Sequence, residues 1–480
     1  LSGGIYQKGA ETGADLIIRA EAGISERDPR NPASVAGLAG SYIGNAGGTG
    51  ADLFSSHAGA LVASLVIAAT TRVIKPDFGY PFDLPAMQGA VFPLLISAFG
   101  VLASMAGITF VRGNQKTDPS VSIKAGKYLC NMMVAIVSVV LSWIFFGNFN
   151  CAICILIGML AGAITGKITN TYTSGGSRRL KKIAGQSQSG TLMISEYGIG
   201  MMSALWPIAV IASAILAANG FADYYGISLA AVGTVSTIGM IASISAYGPV
   251  SGNAGEIARM AMLSHETLNA VDKLEAASSS NTATGKGFAA AAAALTDTAL
   301  FLAFATIAEL EAVNLLKPAV IAALLFGAML PILFSALSMK AAGKAAISVI
   351  EDAKRQFLSD AGVMAGTIKP DYVKCVDVGA KTALKGIILP SLLAFILPPA
   401  VGIFMGLQAL GGMLTGVLAS GLMTAVILSN TGGTWNHADR NNAGDPFKDA
   451  AGAAANVFMV LMTTVALVFV PVLLKIGDIF

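Results

Sequence analysis

The sequence predicts an all-α, polytopic membrane helix bundle, and three observations carry that prediction. Hydrophobic residues make up 55% of the 480 and charged ones only 12%, with a mean hydropathy of +0.71. A soluble globular chain carries roughly 25% charged residues. The apolar residues also gather into continuous runs, about eleven to twelve of them, each near the ~20 residues that a helix needs to cross hydrocarbon. Such runs do not alternate, which excludes a transmembrane β-barrel. Glycine is abundant, at 54 residues, and recurs at small-xxx-small spacing, as in "GGMLTGVLASG". Small residues let helices approach closely in lipid, where no hydrophobic force drives them together.

In chain order the runs centre near 61–69, 92–110, 132–146, 152–164, 201–217, 227–244, 289–306, 320–337, 387–404, 413–428 and 457–474, and 1–18 is a weaker, more polar helix. The whole of 1–480 reads as a single membrane-embedded domain, with polar motif loops near 19–35, 248–286, 340–385 and 430–449. If each run is one crossing, 25 of the 30 Lys and Arg fall on the side that holds these loops. Arg72, Lys75, Lys317 and Lys475 fall on the other. This asymmetry follows the positive-inside rule, so the motif loops are expected on the cytoplasmic side. "SRRLKK", 177–182, is a cluster on the same side that reads as solvated charge or as a contact for anionic lipid head groups. No signal peptide is visible. Cys130, Cys151, Cys154 and Cys375 form no disulfide framework and read as small buried thiols. Three histidines make a histidine metal site improbable. Nothing suggests a nucleic-acid partner; the partner the composition demands is the lipid bilayer.

The stretch "DPRNPASVAGLAGSYIGNAGGTGADLF", 28–54, poses the functional question. Gly37, Ser41 and Asn45 are four residues apart and so share one face of a regular helix. That face is polar but uncharged, and Asp52 follows it into an apolar run.

"GGIYQKGAETGADL", "DPRNPA", "GADLF", "AYGPVSGNAG", "TGKGF", "FGAMLPILFSALSMKAAGKAA", "KRQF", "GTIKPDYVKCV", "SNTGGTW" and "GDPFKD" occur in that order. Together they resemble the membrane-integral, ion-translocating pyrophosphatases along nearly the whole chain. The resemblance implies a homodimer of sixteen-helix subunits in two concentric rings, with pyrophosphate hydrolysis coupled to proton or sodium transport. On that register the given sequence is expected to start near the end of the family's fifth helix, and the family's first four or five helices are missing or lie outside it.

The site motifs depart from the family's pattern. Gly37, Ser41 and Asn45 stand where the family has three aspartates one turn apart, Gly252 replaces the aspartate of its "SDNAGG" (Asn253 is kept), and Asn436 replaces the aspartate after its "GGAW". Ser245 and Ser279 stand for a further aspartate and an asparagine, and Asp439 for a lysine. In the membrane, Gly59 and Val460 occupy the positions of the gate glutamate and gate lysine, and His57 that of a tyrosine. Lys8, Asp15, Glu21, Glu26, Asp445, Lys448 and Asp449 match charged family positions, with Glu11 for Asp and Arg19 for Lys. The resemblance therefore implies a substrate-binding remnant of Lys8, Arg19 and Lys448, a metal remnant of Glu11, Asp15, Glu26, Asp445 and Asp449, and an ion-path remnant at Asp52. No catalytic residue is assigned.

Pyrophosphate hydrolysis needs metal ions to neutralise the anion and an activated water to attack it. Magnesium takes carboxylates, waters and phosphate oxygens, and glycine offers no ligand at all. Losing a catalytic base alone costs ~10²–10⁴ in rate. The reading from sequence is thus a protein that has lost hydrolysis and pumping and serves as a scaffold or subunit of a larger membrane complex, leaning away from an enzyme. Two alternatives stand beside it: an active proton- or sodium-translocating inorganic pyrophosphatase with unusual metal ligands, or an anion-binding or transport module. Mg²⁺ would be weakly bound or absent in an inactive protein. Thr282 stands where potassium-independent members carry lysine, so an active form is expected to use K⁺. A homodimer, or assembly with other membrane subunits, is expected.

Overall fold

The computed structural model describes residues 2–21, 28–74, 86–112, 118–173, 197–438 and 450–477. The described residues are helical with short connections and contain no strand. The order is α1 (Ser2–Glu21), α2 (Pro32–Tyr42), a π turn (Ile43–Gly48), α3 (Thr49–Ile74), α4 (Ala86–Phe110), α5 (Pro119–Phe146), α6 (Asn150–Thr173) and α7 (Leu205–Val235). Then follow α8 (Ile238–Met260), α9 (His265–Ile307), α10 (Pro318–Ser359), α11 (Ala361–Ala365), α12 (Tyr372–Gly386), α13 (Ile388–Met405), α14 (Leu407–Ala438) and α15 (Ala453–Gly477).

Among the described residues, 10 helices are long and apolar enough to cross a membrane. The predicted run 227–244 is not one separate helix. At Ala222 (φ −151°, ψ 29°) and Asp223 (φ 49°, ψ −143°) the backbone of α7 leaves helical geometry. A Cβ on Gly226 would lie 2.2 Å from the carbonyl oxygen of Ala218, so the chain doubles back there. Eight residues along a straight helix are ~12 Å apart. The second arm, 224–235, runs on through Ser236 and Thr237 into α8 and supplies an eleventh apolar passage.

The centre of the bundle is α9: 89% of its most apolar window is buried, against 22–61% in the other spans. It packs against α3, α6, α7, α8, α14 and α15. Its inner half, "AAAAAALTDTALFLAFA", is mostly alanine, which lets neighbours close in on it. The glycine spacing in α14 works as expected. Cβ atoms on Gly412 and Gly416 would lie 2.7 and 2.1 Å from the carbonyl oxygens of Val320 and Leu324 on α10, and one on Gly327 would lie 2.0 Å from that of Met413. The two helices therefore touch backbone to backbone.

A second, smaller core joins α1, α2, the C-terminal half of α10 and α12, through Ile5, Tyr6, Ala10, Val349 and Cys375. The more polar α1 is thus packed rather than peripheral, with Gln7 and Lys8 buried along with its apolar residues. All four cysteines are buried and free, as predicted.

Candidate functional site

The "DPRNP" loop anchors one wall of the site. Arg30 grips Asp28 through Nε to Oδ1 (2.9 Å) and Nη2 to Oδ2 (2.6 Å). Its Nη1 donates to the Met364 carbonyl at 3.2 Å, and the Tyr372 hydroxyl donates to the Pro29 carbonyl at 2.5 Å. Hydrogen bonding from Arg30 holds the Asp28 carboxyl below its ordinary range, against the opposing effect of burial. Asn31 then caps α2, its Oδ1 accepting from the Ala33 N–H at 3.0 Å, and Pro32 occupies the first turn.

From this anchor α2 runs along α1. A Cβ on Gly37 would sit 3.8–4.0 Å from Glu11, Ala14 and Ala10, an ordinary contact. The neutral ladder therefore faces the helix that carries Lys8, Glu11 and Asp15. Those side chains are already engaged: Lys8 pairs with Glu11, and Gln7 Nε2 donates to Glu11 Oε1 at 3.0 Å. The ladder is also not one straight helix. Gly37 and Ser41 share a face of α2, but the π turn begins at Ile43. It widens the backbone before Asn45, so the regular four-residue spacing expected across all three positions fails there. The third wall is α8, where Asn253 Nδ2 donates to the Leu38 carbonyl at 2.9 Å. Nothing lies within 4 Å of a Cβ built on Gly252. Ser245 faces α9, its Oγ 3.1 Å from a Cβ built on Gly285.

The structure thus brings Lys8, Glu11, Asp15, Gly37, Ser41, Asn45, Gly252 and Asn253 to one end of the bundle. Glu26, Asp439, Asp445, Lys448, Asp449 and the 177–182 cluster lie outside the described residues. Arg19, Glu21, Ser279, Thr282, Asn436 and His437 are placed only as helix positions. Among the described residues no group of three or more His, Cys, Asp or Glu is arranged to hold a metal ion. The described donors by themselves do not fit magnesium, because the ladder presents neutral groups and Glu11 is held by Lys8 and Gln7.

Below the ladder a narrow cavity of about 40 Å³ is lined by Gln7, Asn45, Asp52, Lys286, Ser429 and Asn456, among others. One water needs ≳10–15 Å³, so the space suits a few waters or a desolvated ion. Asp52 is 4% exposed. The sequence leaves it without a charged partner, and the structure gives it Asn456, whose Nδ2 lies 3.5 Å from Oδ2. Asp52 Oδ1 has no hydrogen-bond partner. Seven residues on, a Cβ on Gly59 would meet Thr296 Cγ2 at 2.8 Å and Val460 Cγ1 at 3.5 Å. The two positions that the resemblance aligns with the family's gate pair therefore adjoin, and apolar packing fills the space. His57 is held by Ser97, with Oγ to Nε2 at 2.7 Å.

One residue in this region was not singled out from the sequence. Asp297, in the middle of α9, is fully buried, and neither carboxyl oxygen has a hydrogen bond. The signal was present: it is the only charged residue in the run 289–306.

Fold and site together define a polytopic helical membrane protein with a polar pocket at one end that reaches a buried carboxylate, Asp52. The family model for the inorganic H⁺ pyrophosphatase matches residues 1–442, and the chain belongs to that family. Over its full length it is 40% identical to a Clostridium tetani protein provisionally named a K(+)-stimulated pyrophosphate-energized sodium pump, of which it covers 74%. It is 34% identical, over 98% of its length, to the K(+)-insensitive pyrophosphate-energized proton pump of Methanosarcina mazei, again covering 74%. A third relative, the K(+)-insensitive pyrophosphate-energized proton pump 2 of Moorella thermoacetica, is 34% identical over 98% of this chain and 74% of its own.

Proposed function

We propose that this chain is an ion-translocating inorganic pyrophosphatase with an altered metal-ligand set. The observation that carries the proposal is the pair of buried carboxylates, Asp52 and Asp297, neither joined to a Lys or Arg among the described residues. A carboxylate inside a membrane is costly and marks an ion path. A protein keeping only its packing has no use for two. The names of its relatives, sodium and proton pumps, point the same way and favour the pump over the scaffold.

In this reading pyrophosphate approaches the cytoplasmic end, where Lys8, Arg19 and Lys448 meet its charge. Asp15, Glu26, Asp445 and Asp449 supply the carboxylates for Mg²⁺, and K⁺ serves as activator. The protein works as a homodimer. A second reading has its own support. Gly37, Ser41 and Gly252 offer no carboxylate at the pocket, which fits a protein that keeps the fold without hydrolysis.

Phosphate release from pyrophosphate with Mg²⁺ and K⁺, measured beside Asp445→Ala and Asp449→Ala, separates the two. Release above background that both variants abolish is the expected result. A folded protein with no release would overturn the pump in favour of the scaffold.

A further inference from the structure

Asp297 does not stand alone. Three helices, α3, α9 and α15, enclose a line of buried polar atoms. On α3, Asp52 and Ser56 are one turn apart. On α9, the Thr296 hydroxyl donates to the Ser56 carbonyl at 3.0 Å, and Asp297 is the next residue. On α15, Asn456 meets Asp52, while Thr463 lies beside Asp297 but outside hydrogen-bond geometry. Asn456 and Thr463 are seven residues apart, which keeps them on one face and separates their levels by about 10 Å. The two carboxylates therefore occupy successive levels of one interface. Asp52 borders the pocket, and Asp297 lies about two turns deeper.

The oxygens along this line are unsatisfied. Asp52 Oδ1, Ser56 Oγ, Asn456 Oδ1, both oxygens of Asp297 and Thr463 Oγ1 are all buried without a hydrogen-bond partner. Asp297 and Thr463 are 0% exposed and Ser56 is 1% exposed. Buried polar groups are normally paired, and an orphaned one calls for an explanation such as an ion or water. Here the orphans fall on three helices that pack against one another, and all are acceptors or hydroxyls. That is the ligand chemistry of a hard monovalent cation or of a chain of protons.

We propose that Asp297, with Thr463, Ser56 and the backbone around Thr296, forms a second intramembrane station for a monovalent cation, loaded from Asp52. The cation is sodium or a proton, since both use the same oxygens. The station deepens the pump reading and rests on it for its purpose, but its occupancy can be read without turnover.

The test uses the purified full chain in detergent and dicyclohexylcarbodiimide, an apolar reagent that adds to a protonated carboxyl. Labelling of the peptide containing Asp297 is followed by mass spectrometry, in sodium chloride against choline chloride and across pH. Asp297→Asn, which keeps the side-chain shape, confirms the labelled position. If sodium is the cation, it suppresses the adduct at least about fivefold by mass action. If the proton is the cation, sodium leaves the adduct unchanged, and Asp52→Asn lowers the pH midpoint of labelling because a neighbouring negative charge is removed. An Asp297 that takes no adduct, or one that neither sodium nor Asp52→Asn alters, is a structural carboxyl and overturns the station. Failure of phosphate release alone would sink the proposed function and leave this result standing.

Discussion

Asp28 and Gly252 show how far single residues can be predicted at the site. Asp28 is ionised in the fold because Arg30 hydrogen-bonds to it. Its folded value lies below the ordinary carboxylate value near ~4. Its contribution to stability is therefore fully present above that ordinary value and is lost as pH falls through the lower, folded one. Thermal melting of the wild type should weaken with acid below pH ~4 more steeply than that of Asp28→Asn, which lacks the linkage. Gly252 predicts the reverse of fragility. Its Cβ direction is open, so Gly252→Asp should change stability by less than about 0.5 kcal/mol. Combined with Gly37→Asp, it should create a magnesium-dependent rise in melting temperature that the wild type lacks. The neutral ladder was legible in the sequence because its four-residue spacing is a pattern. Asp297 was not, because no motif contains it. Its place as the only charged residue of the run 289–306 was the one signal in the sequence, and burial and unpaired oxygens give that signal its meaning.

Helices bring in packing, which the sequence expresses as spacing. The α10–α14 contact is written in the small residues of α14, of which Gly416 makes the closer approach. Gly416→Val must push a branched side chain into the Leu324 carbonyl, and overpacking of this kind costs about 1–3 kcal/mol. A lowered melting temperature of the purified protein checks it, with Ala419→Val, whose position is exposed, as the control. The α2 start is equally readable from "NP". Asn31→Ala removes the side-chain cap and should cost about 1 kcal/mol. Other features lie below the reach of pattern. The apolar run 227–244 gives no sign that its first half returns from a reversal at Asp223, because Asp223 looks like any residue between two runs. The π turn after Tyr42 is invisible for a related reason. Its glycines fit a regular helix as well as a widened one.

For the molecule as a whole, orientation in the membrane is the property on which the pump reading depends, and charge alone predicts it. The helix α10 is the best ruler. Its 42 residues span about 63 Å at 1.5 Å per residue, longer than a bilayer of ~40–45 Å with its head groups. Lys340, Lys344, Lys354 and Arg355 all lie in its second half, which packs with α1 and α12 around the site. Leu316, just before the helix, is 90% exposed, and Leu358, near its end, is 86% exposed. The native cysteines are all buried, so they give an impermeant thiol reagent little to label. In cells or right-side-out vesicles, Leu316→Cys should react from outside, whereas Leu358→Cys should react only after the membrane is opened. The reverse pattern would put the basic loops, and with them Lys8 and the entrance above Asp52, on the external face. Cytoplasmic pyrophosphate could not then reach the site, and the pump reading would fail whatever the carboxylates bind.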